Sequence, residues 1–366
     1  MENKAESTKS NFMDHNIYAE YMTAILQKQK KLTDGLDVLM NIEYDERYKT
    51  PKELIYEENK MKIYHYNQSK AKKKVKVPTL ILYAMMNRPY VMDLQSEKSF
   101  INKLLDEGLD LYILDWGYPT ADDRYITVED YIEGYLGNAI DFIMEKTGSK
   151  QINLLSKCQG GTYGAIYASL YPEKIKNLVT IASPFDFDIE EGLLFKWSKD
   201  MDVDSLVDAY GIIPGDFLNA CFVSLRPYSL LVDKYIAVVN VLDNPAALKD
   251  FLNMESWIFD SPGQAGEAYR KYMKDLWQDN KLIKGEFVLG DKKIDLKNIT
   301  MPLLNVVGEK DNLIPPSASI PLNDIVASED KELVKYPLGH AGIVASTLSQ
   351  KEVAPKVAQW IIKRSK

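Results

Sequence analysis

The chain has 366 residues, 46% hydrophobic and 11% aromatic, which rules out a disordered protein and suffices for one large body carrying an insertion. Its 45 Lys and Arg against 53 Asp and Glu give a net charge of −8, which disfavours a general nucleic-acid surface. Two cysteines, Cys158 and Cys221, are too few for a disulfide framework and fit a reducing compartment.

The N-terminal segment has acidic residues and no apolar run, so neither a secretory signal nor a transmembrane anchor is expected and the reading is cytoplasmic. From Ile17, residues Tyr18, Tyr21, Met22, Ile25 and Leu26 recur at three- and four-residue spacing. That pattern predicts an amphipathic helix, either packed across the main body or docking a partner. Residues 1–48 are read as this arm. Pro51 is expected to open a short helix. Met61–Tyr66 and Pro78–Ala84 read as paired strands joined by a basic connection, a solvated tip or an attractor of coenzyme phosphates or an anionic granule surface.

A helix near 96–107, a strand at 109–115, a helix near 128–146 and a strand at 151–155 follow. Alternating strands and helices predict a doubly wound, mostly parallel sheet. After a helix at 161–171 and a strand at 177–182, the alternation stops at Ser183. Roughly 110 residues rich in aromatics intervene, read as a cap over residues 184–297, with a small hairpin near 285–297 closing it. Within the cap, Tyr269, Tyr272, Met273, Leu276 and Trp277 have helical spacing and read as core or as the wall of an acyl channel. The sheet resumes at 301–307, and the body is read as 49–183 plus 298–366.

The stretch INLLSKCQGGTYG, from Ile152 to Gly164, combines an apolar strand, a turn of small residues and a helix start, with Cys158 at its apex. In α/β-hydrolases such an elbow needs small residues two before and two after the nucleophile, here Ser156 and Gly160. It points the nucleophile away from the sheet and sets the next N–H, that of Gln159, beside it as an oxyanion donor. The second donor is expected from the loop after the strand at 80–84, with Met86 N–H chosen and Met85 or Asn87 as alternatives. In this fold the acid and then the histidine follow the nucleophile on late loops, and Asp311 and His340 satisfy that order. His15 and His65 lie in the arm and in an early strand. His340 would take the thiol proton, and Asp311 would fix its tautomer. The bland alternative is a Cys158 that packs, an Asp311 in a solvated turn and a surface His340.

Lys157 has three readings: lowering the thiol pKa, meeting a coenzyme phosphate, or pointing away. Arg88 contacts phosphate or forms an ordinary salt bridge. Cys221, Asp186 and Asp216 read as structural. No cysteine and histidine cluster has zinc spacing and neither a P-loop nor a dinucleotide fingerprint is present, so no cofactor is expected. A cysteine nucleophile accepts an acyl group from a thioester at little free-energy change, which suits transfer from a coenzyme A thioester.

From about Thr50 onward the chain resembles the class III polyhydroxyalkanoate synthase catalytic subunit, with class IV its nearest relative. The resemblance is carried by YAMMNRPYVMDL from Tyr83, DWGYP from Asp115, CQGG from Cys158, SPFDF from Ser183, FDSPGQAGE from Phe259 and GHAG from Gly339. It implies that Cys158 carries the growing chain as a thioester, with His340 as base and Asp311 orienting it or helping to deprotonate the incoming hydroxyl. The implied substrate is (R)-3-hydroxyacyl-CoA with short acyl chains, and the product is a polyester held in cytoplasmic granules. The implied partners are a second synthase subunit, another copy of the chain as a homodimer, and the granule surface. Ser156 departs from the family's usual Gly. The competing readings are a thioesterase or polyester depolymerase on the same scaffold, and a granule-coating subunit without activity, for which a broken triad would be expected.

Overall fold

A computed structural model describes residues 50–66, 75–95, 98–242 and 244–365, together with 20, 22–27 and 30. Contacts group the chain into two units, one of residues 46–225 with 253–366 and one of 226–252 with the N-terminal residues to Asp45.

In the larger unit, eight strands form one sheet: β1 (Glu53–Glu58), β2 (Met61–Tyr66), β3 (Thr79–Leu82), β4 (Leu111–Asp115), β5 (Ile152–Lys157), β6 (Ile175–Ile181), β7 (Leu303–Gly308) and β8 (Lys331–Tyr336). Their order is β1-β2-β4-β3-β5-β6-β7-β8. β1 and β2 pair antiparallel with each other, β2 pairs antiparallel with β4, and from β4 to β8 the sheet is parallel. The central strands β3, β4, β5 and β7 are buried at every position, as expected for parallel strands covered on both faces. Alternate residues feed two layers. Leu80, Leu82 and Leu154 face α2 (Gly137–Thr147) and α3 (Gln159–Leu170), whereas Ile81, Leu155 and Val179 face α1 (Phe100–Asp106) and α4 (Ala354–Arg364).

Two expectations about the first strands are corrected. The residues after Pro51 form β1, an extended strand along β2 with a register shift between Leu54 and Tyr56, where a short helix was expected. Pairing to β2 decides this, and the three glutamates of β1 suit an exposed sheet edge. β2 and β3 do not pair with each other, because β4 lies between them. A strand buried on both faces, as β3 is, has parallel neighbours on both sides.

Between β6 and β7 the sheet pattern is interrupted by helices including Leu193–Lys199, Val203–Tyr210, Gly215–Ser224 and Gly266–Lys271, and by a small hairpin of Val288–Leu289 with Lys292–Lys293. Tyr269, Tyr272, Met273, Leu276 and Trp277 are all buried there. In the second unit, Glu20, Met22–Gln27 and Lys30 are helical, with Met22 and Leu26 exposed. Ile17, Tyr18, Tyr21, residues 67–74 and Ser96 lie outside the described residues.

The corner after β5 is packed to the limit. A Cβ on Gly160 would meet Leu82 O at 2.5 Å, and one on Gly161 would meet Ser183 Oγ at 1.9 Å. Gly164 makes the room that Ser156 takes up, since a Cβ there would lie 2.6 Å from Ser156 Oγ. Gly164→Ala is therefore expected to cost about 1–3 kcal/mol, read as a lower urea midpoint. Combined with Ser156→Gly, that penalty should largely vanish in a double-mutant cycle.

Candidate active site

β5 runs straight into α3, and the chain turns through one residue, Cys158, at φ 56° and ψ −131°. A non-glycine residue in that region stores about 1–3 kcal/mol of strain. Two hydrogen bonds hold it: Cys158 N–H donates to Ile181 O at 3.0 Å, and Cys158 O accepts from Gly161 N–H at 2.8 Å. The Gln159 side chain reaches back to the loop after β3, its Oε1 accepting from Met85 N–H at 3.1 Å. Of the sequence alternatives for the second oxyanion donor, Met85 thus has its N–H engaged.

Asp311 follows β7, and His340 follows β8. Asp311 Oδ1 accepts from the N–H groups of Leu313 and Ile314 at 2.9 and 2.8 Å, and Oδ2 lies 2.7 Å from His340 Nδ1. The Asp311 side chain is 0% exposed. The three residues singled out in sequence therefore converge, His340 bonding Asp311 and acting electrostatically on the Cys158 thiol. Burial pushes that thiol up, but His340, Lys157 and the Gln159 N–H together hold it below its ordinary value. Burial likewise pulls His340 down. The charge and hydrogen bond of Asp311 together with the charge of Cys158 outweigh this and the opposing charge of Lys157, raising the imidazole to about 9.

Lys157 points into the protein. It is buried, with Nζ 3.3 Å from His340 Nε2 and 5.3 Å from the centre of the Tyr83 ring. Burial lowers its pKa, partly countered by Cys158 and Asp311. Its ammonium faces His340 inside the protein. Arg88 is also buried and forms a salt bridge with Asp115, while its guanidinium stacks 4.4 Å from the Tyr118 ring and its carbonyl accepts from Trp257 Nε1–H at 2.8 Å. The salt-bridge reading of Arg88 thus describes its place.

Sequence reasoning missed the polar network around this loop. Tyr90 Oη–H and Tyr118 Oη–H both donate to the Asp260 carboxylate, and Asn87 Nδ2–H donates to Ser261 Oγ at 2.8 Å. These residues stood in the quoted stretches NRPY, DWGYP and FDSPG, yet nothing in their spacing announced that they meet. Cys221, read as structural, lines an apolar cavity of about 50 Å³ with Met86, Leu218, Tyr269, Met273 and Trp277. Asp186 is bonded to Asn280 Nδ2–H and Asp188 N–H, a structural role. Among the described residues, no group of three His, Cys, Asp or Glu is placed to hold a metal ion, and no helix is long and apolar enough to cross a membrane.

Alkylation by iodoacetamide requires the thiolate. Because the Cys158 thiol is held down while burial raises that of Cys221, Cys158 is expected to react about tenfold or more faster at pH 7. Peptide-resolved mass spectrometry across pH checks this, with the Cys158 rate rising through a midpoint below that of free cysteine.

The family model for the α/β hydrolase fold matches residues 80–344. The poly(3-hydroxyalkanoate) polymerase subunit PhaC of Allochromatium vinosum is 43% identical to this chain over 93% of it and 96% of that protein. The corresponding subunit of Synechocystis sp. is 42% identical, covering 94% and 93% respectively. A solved hydrolase from Pseudomonas aeruginosa shares the fold, with a TM-score of 0.51 at 13% identity over 85% of this chain and 99% of that one. With 43% identity along nearly its whole length and a matching core, the chain belongs to the poly(3-hydroxyalkanoate) polymerase family, built on the α/β hydrolase fold.

Proposed function

We propose that this chain polymerises (R)-3-hydroxyacyl-CoA into polyhydroxyalkanoate through a thioester on Cys158, with release of coenzyme A. The observation that carries this reading is the Cys158, His340 and Asp311 constellation on the elbow of a polymerase-family chain. The Cys158 thiolate attacks the thioester carbonyl, the N–H groups of Gln159 and Met86 receive the oxyanion, and coenzyme A leaves. His340 then takes the proton of an incoming 3-hydroxyl, whose oxygen attacks the acyl-cysteine to form the ester.

Asp311 acts by orienting His340. Both of its oxygens are committed, one to two backbone N–H groups and one to Nδ1, and its burial keeps it from a substrate hydroxyl. The small apolar cavity lined by Met86, Leu218, Met273 and Trp277 beside the oxyanion loop supports a short acyl chain such as that of 3-hydroxybutyryl. The same reading sets the enzyme to work at a cytoplasmic polymer granule, as a homodimer with a second synthase subunit.

Supplied with (R)-3-hydroxybutyryl-CoA, the protein should release coenzyme A and deposit insoluble polymer, and Cys158→Ala should do neither. Release accompanied only by free hydroxy acid would assign a thioesterase. Asp311→Asn should lower kcat by about 10²–10⁴-fold, the loss seen when a triad carboxylate no longer fixes the tautomer. Met273→Ala should raise kcat/KM for (R)-3-hydroxyhexanoyl-CoA relative to the butyryl substrate by about tenfold, the scale at which an apolar pocket resolves added methylenes.

A further inference from the structure

Lys157 closes β5 one residue before the nucleophile, with 1% of its surface exposed. The titratable groups facing it are Cys158, Asp311, His340 and Tyr83. An ammonium taken out of water costs several kcal/mol unless its donors are met and its charge is balanced. An apolar side chain would fill this position without that penalty. A lysine here calls for a counter-charge, and the site has an anion available in the Cys158 thiolate.

One hydrogen-bond arrangement open to the cluster has His340 neutral. His340 Nδ1 faces the Asp311 carboxylate, so in the neutral ring Nδ1 carries the proton and Nε2 offers a lone pair. Lys157 Nζ lies 3.3 Å from that lone pair. With Lys157 charged and His340 neutral, Nζ–H donates to Nε2, the ammonium rests near the face of Tyr83, and its charge acts on Cys158, the next residue in the chain.

We propose that Lys157 is a second cation of the catalytic cluster, favouring the Cys158 thiolate whether or not His340 carries a proton. This rests on the acyl-cysteine reading above. The cycle balances. The thiolate forms the C–S bond to the acyl carbon as the bond to the coenzyme A sulfur breaks. The hydroxyl proton then passes to Nε2, its oxygen forms the ester, and the C–S bond to Cys158 breaks to return the thiolate opposite Lys157. The imidazolium gives its proton to the next departing coenzyme A sulfur.

The test is the pH dependence of Cys158 alkylation by iodoacetamide, read on its own peptide in the full chain, for the unaltered protein, Lys157→Met, His340→Gln and the double variant. His340→Gln alone should keep a midpoint below that of free cysteine. Lys157→Met should slow alkylation at pH 7 by about tenfold, and the double variant should react as an ordinary buried thiol. Two results would overturn the proposal: a His340→Gln midpoint already at the ordinary thiol value, or a Lys157→Met profile that overlays the unaltered one. The first leaves Lys157 intact, so it decides even where Lys157→Met fails to fold. Failure of the acyl-cysteine reading is a separate observation, unchanged coenzyme A release by Cys158→Ala.

Discussion

A cysteine held at φ 56° between a buried strand and a buried helix is the constraint on which the rest of this structure depends. The turn projects the sulfur off the sheet only if the helix start can press against neighbouring backbone, and three glycines permit that approach. Their surroundings are fixed in turn. Gly160 abuts the end of β3, Gly161 abuts Ser183 two residues past β6, and Gly164 abuts the strand that leads into the turn. Strain of about 1–3 kcal/mol at one residue is thus held by close packing from three strands, which keeps the sulfur in one place.

The fold was legible where the chemistry of single segments dictates it. β5, the turn and α3 were readable because a continuous apolar run followed by small residues has few other solutions. The convergence of Asp311 and His340 near Cys158 was readable because this fold orders such residues along the chain. What failed was pairing. Leu54, Tyr56 and Ile63 carry no mark of which strand they meet, and β2 and β3 looked adjacent because they are close in sequence, although β4 separates them. Lys157 was legible as a position and opaque as a direction. A lysine reads as solvated in sequence, and only the packed structure shows its Nζ turned inwards to His340.

The departure at Ser156 shows the same limit. As a lone substitution for the family's usual glycine it looked tolerable on size alone. The structure gives it a partner in space, Gly164, eight residues on and one side of the same corner, whose missing Cβ leaves room for the hydroxyl. That hydroxyl has no hydrogen-bond partner among the described residues, so the serine makes the corner less favourable than glycine or alanine of similar shape.

The network missed in sequence explains why stretches so far apart carried one resemblance. Tyr90 and Asn87 belong to the loop that supplies Met86, while Asp260 and Ser261 follow the helix that ends at Ile258. Tyr118 and Asp115 follow and end β4. Trp257 closes the set by donating to the Arg88 carbonyl. The position of the Met86 N–H is therefore determined by the insertion as well as by the sheet. A thiolate attacking a thioester needs its oxyanion donors within a few tenths of an ångström of their working position, because hydrogen bonds weaken steeply with distance and angle. The insertion therefore holds residues 87–90, next to the Met86 N–H proposed as an oxyanion donor.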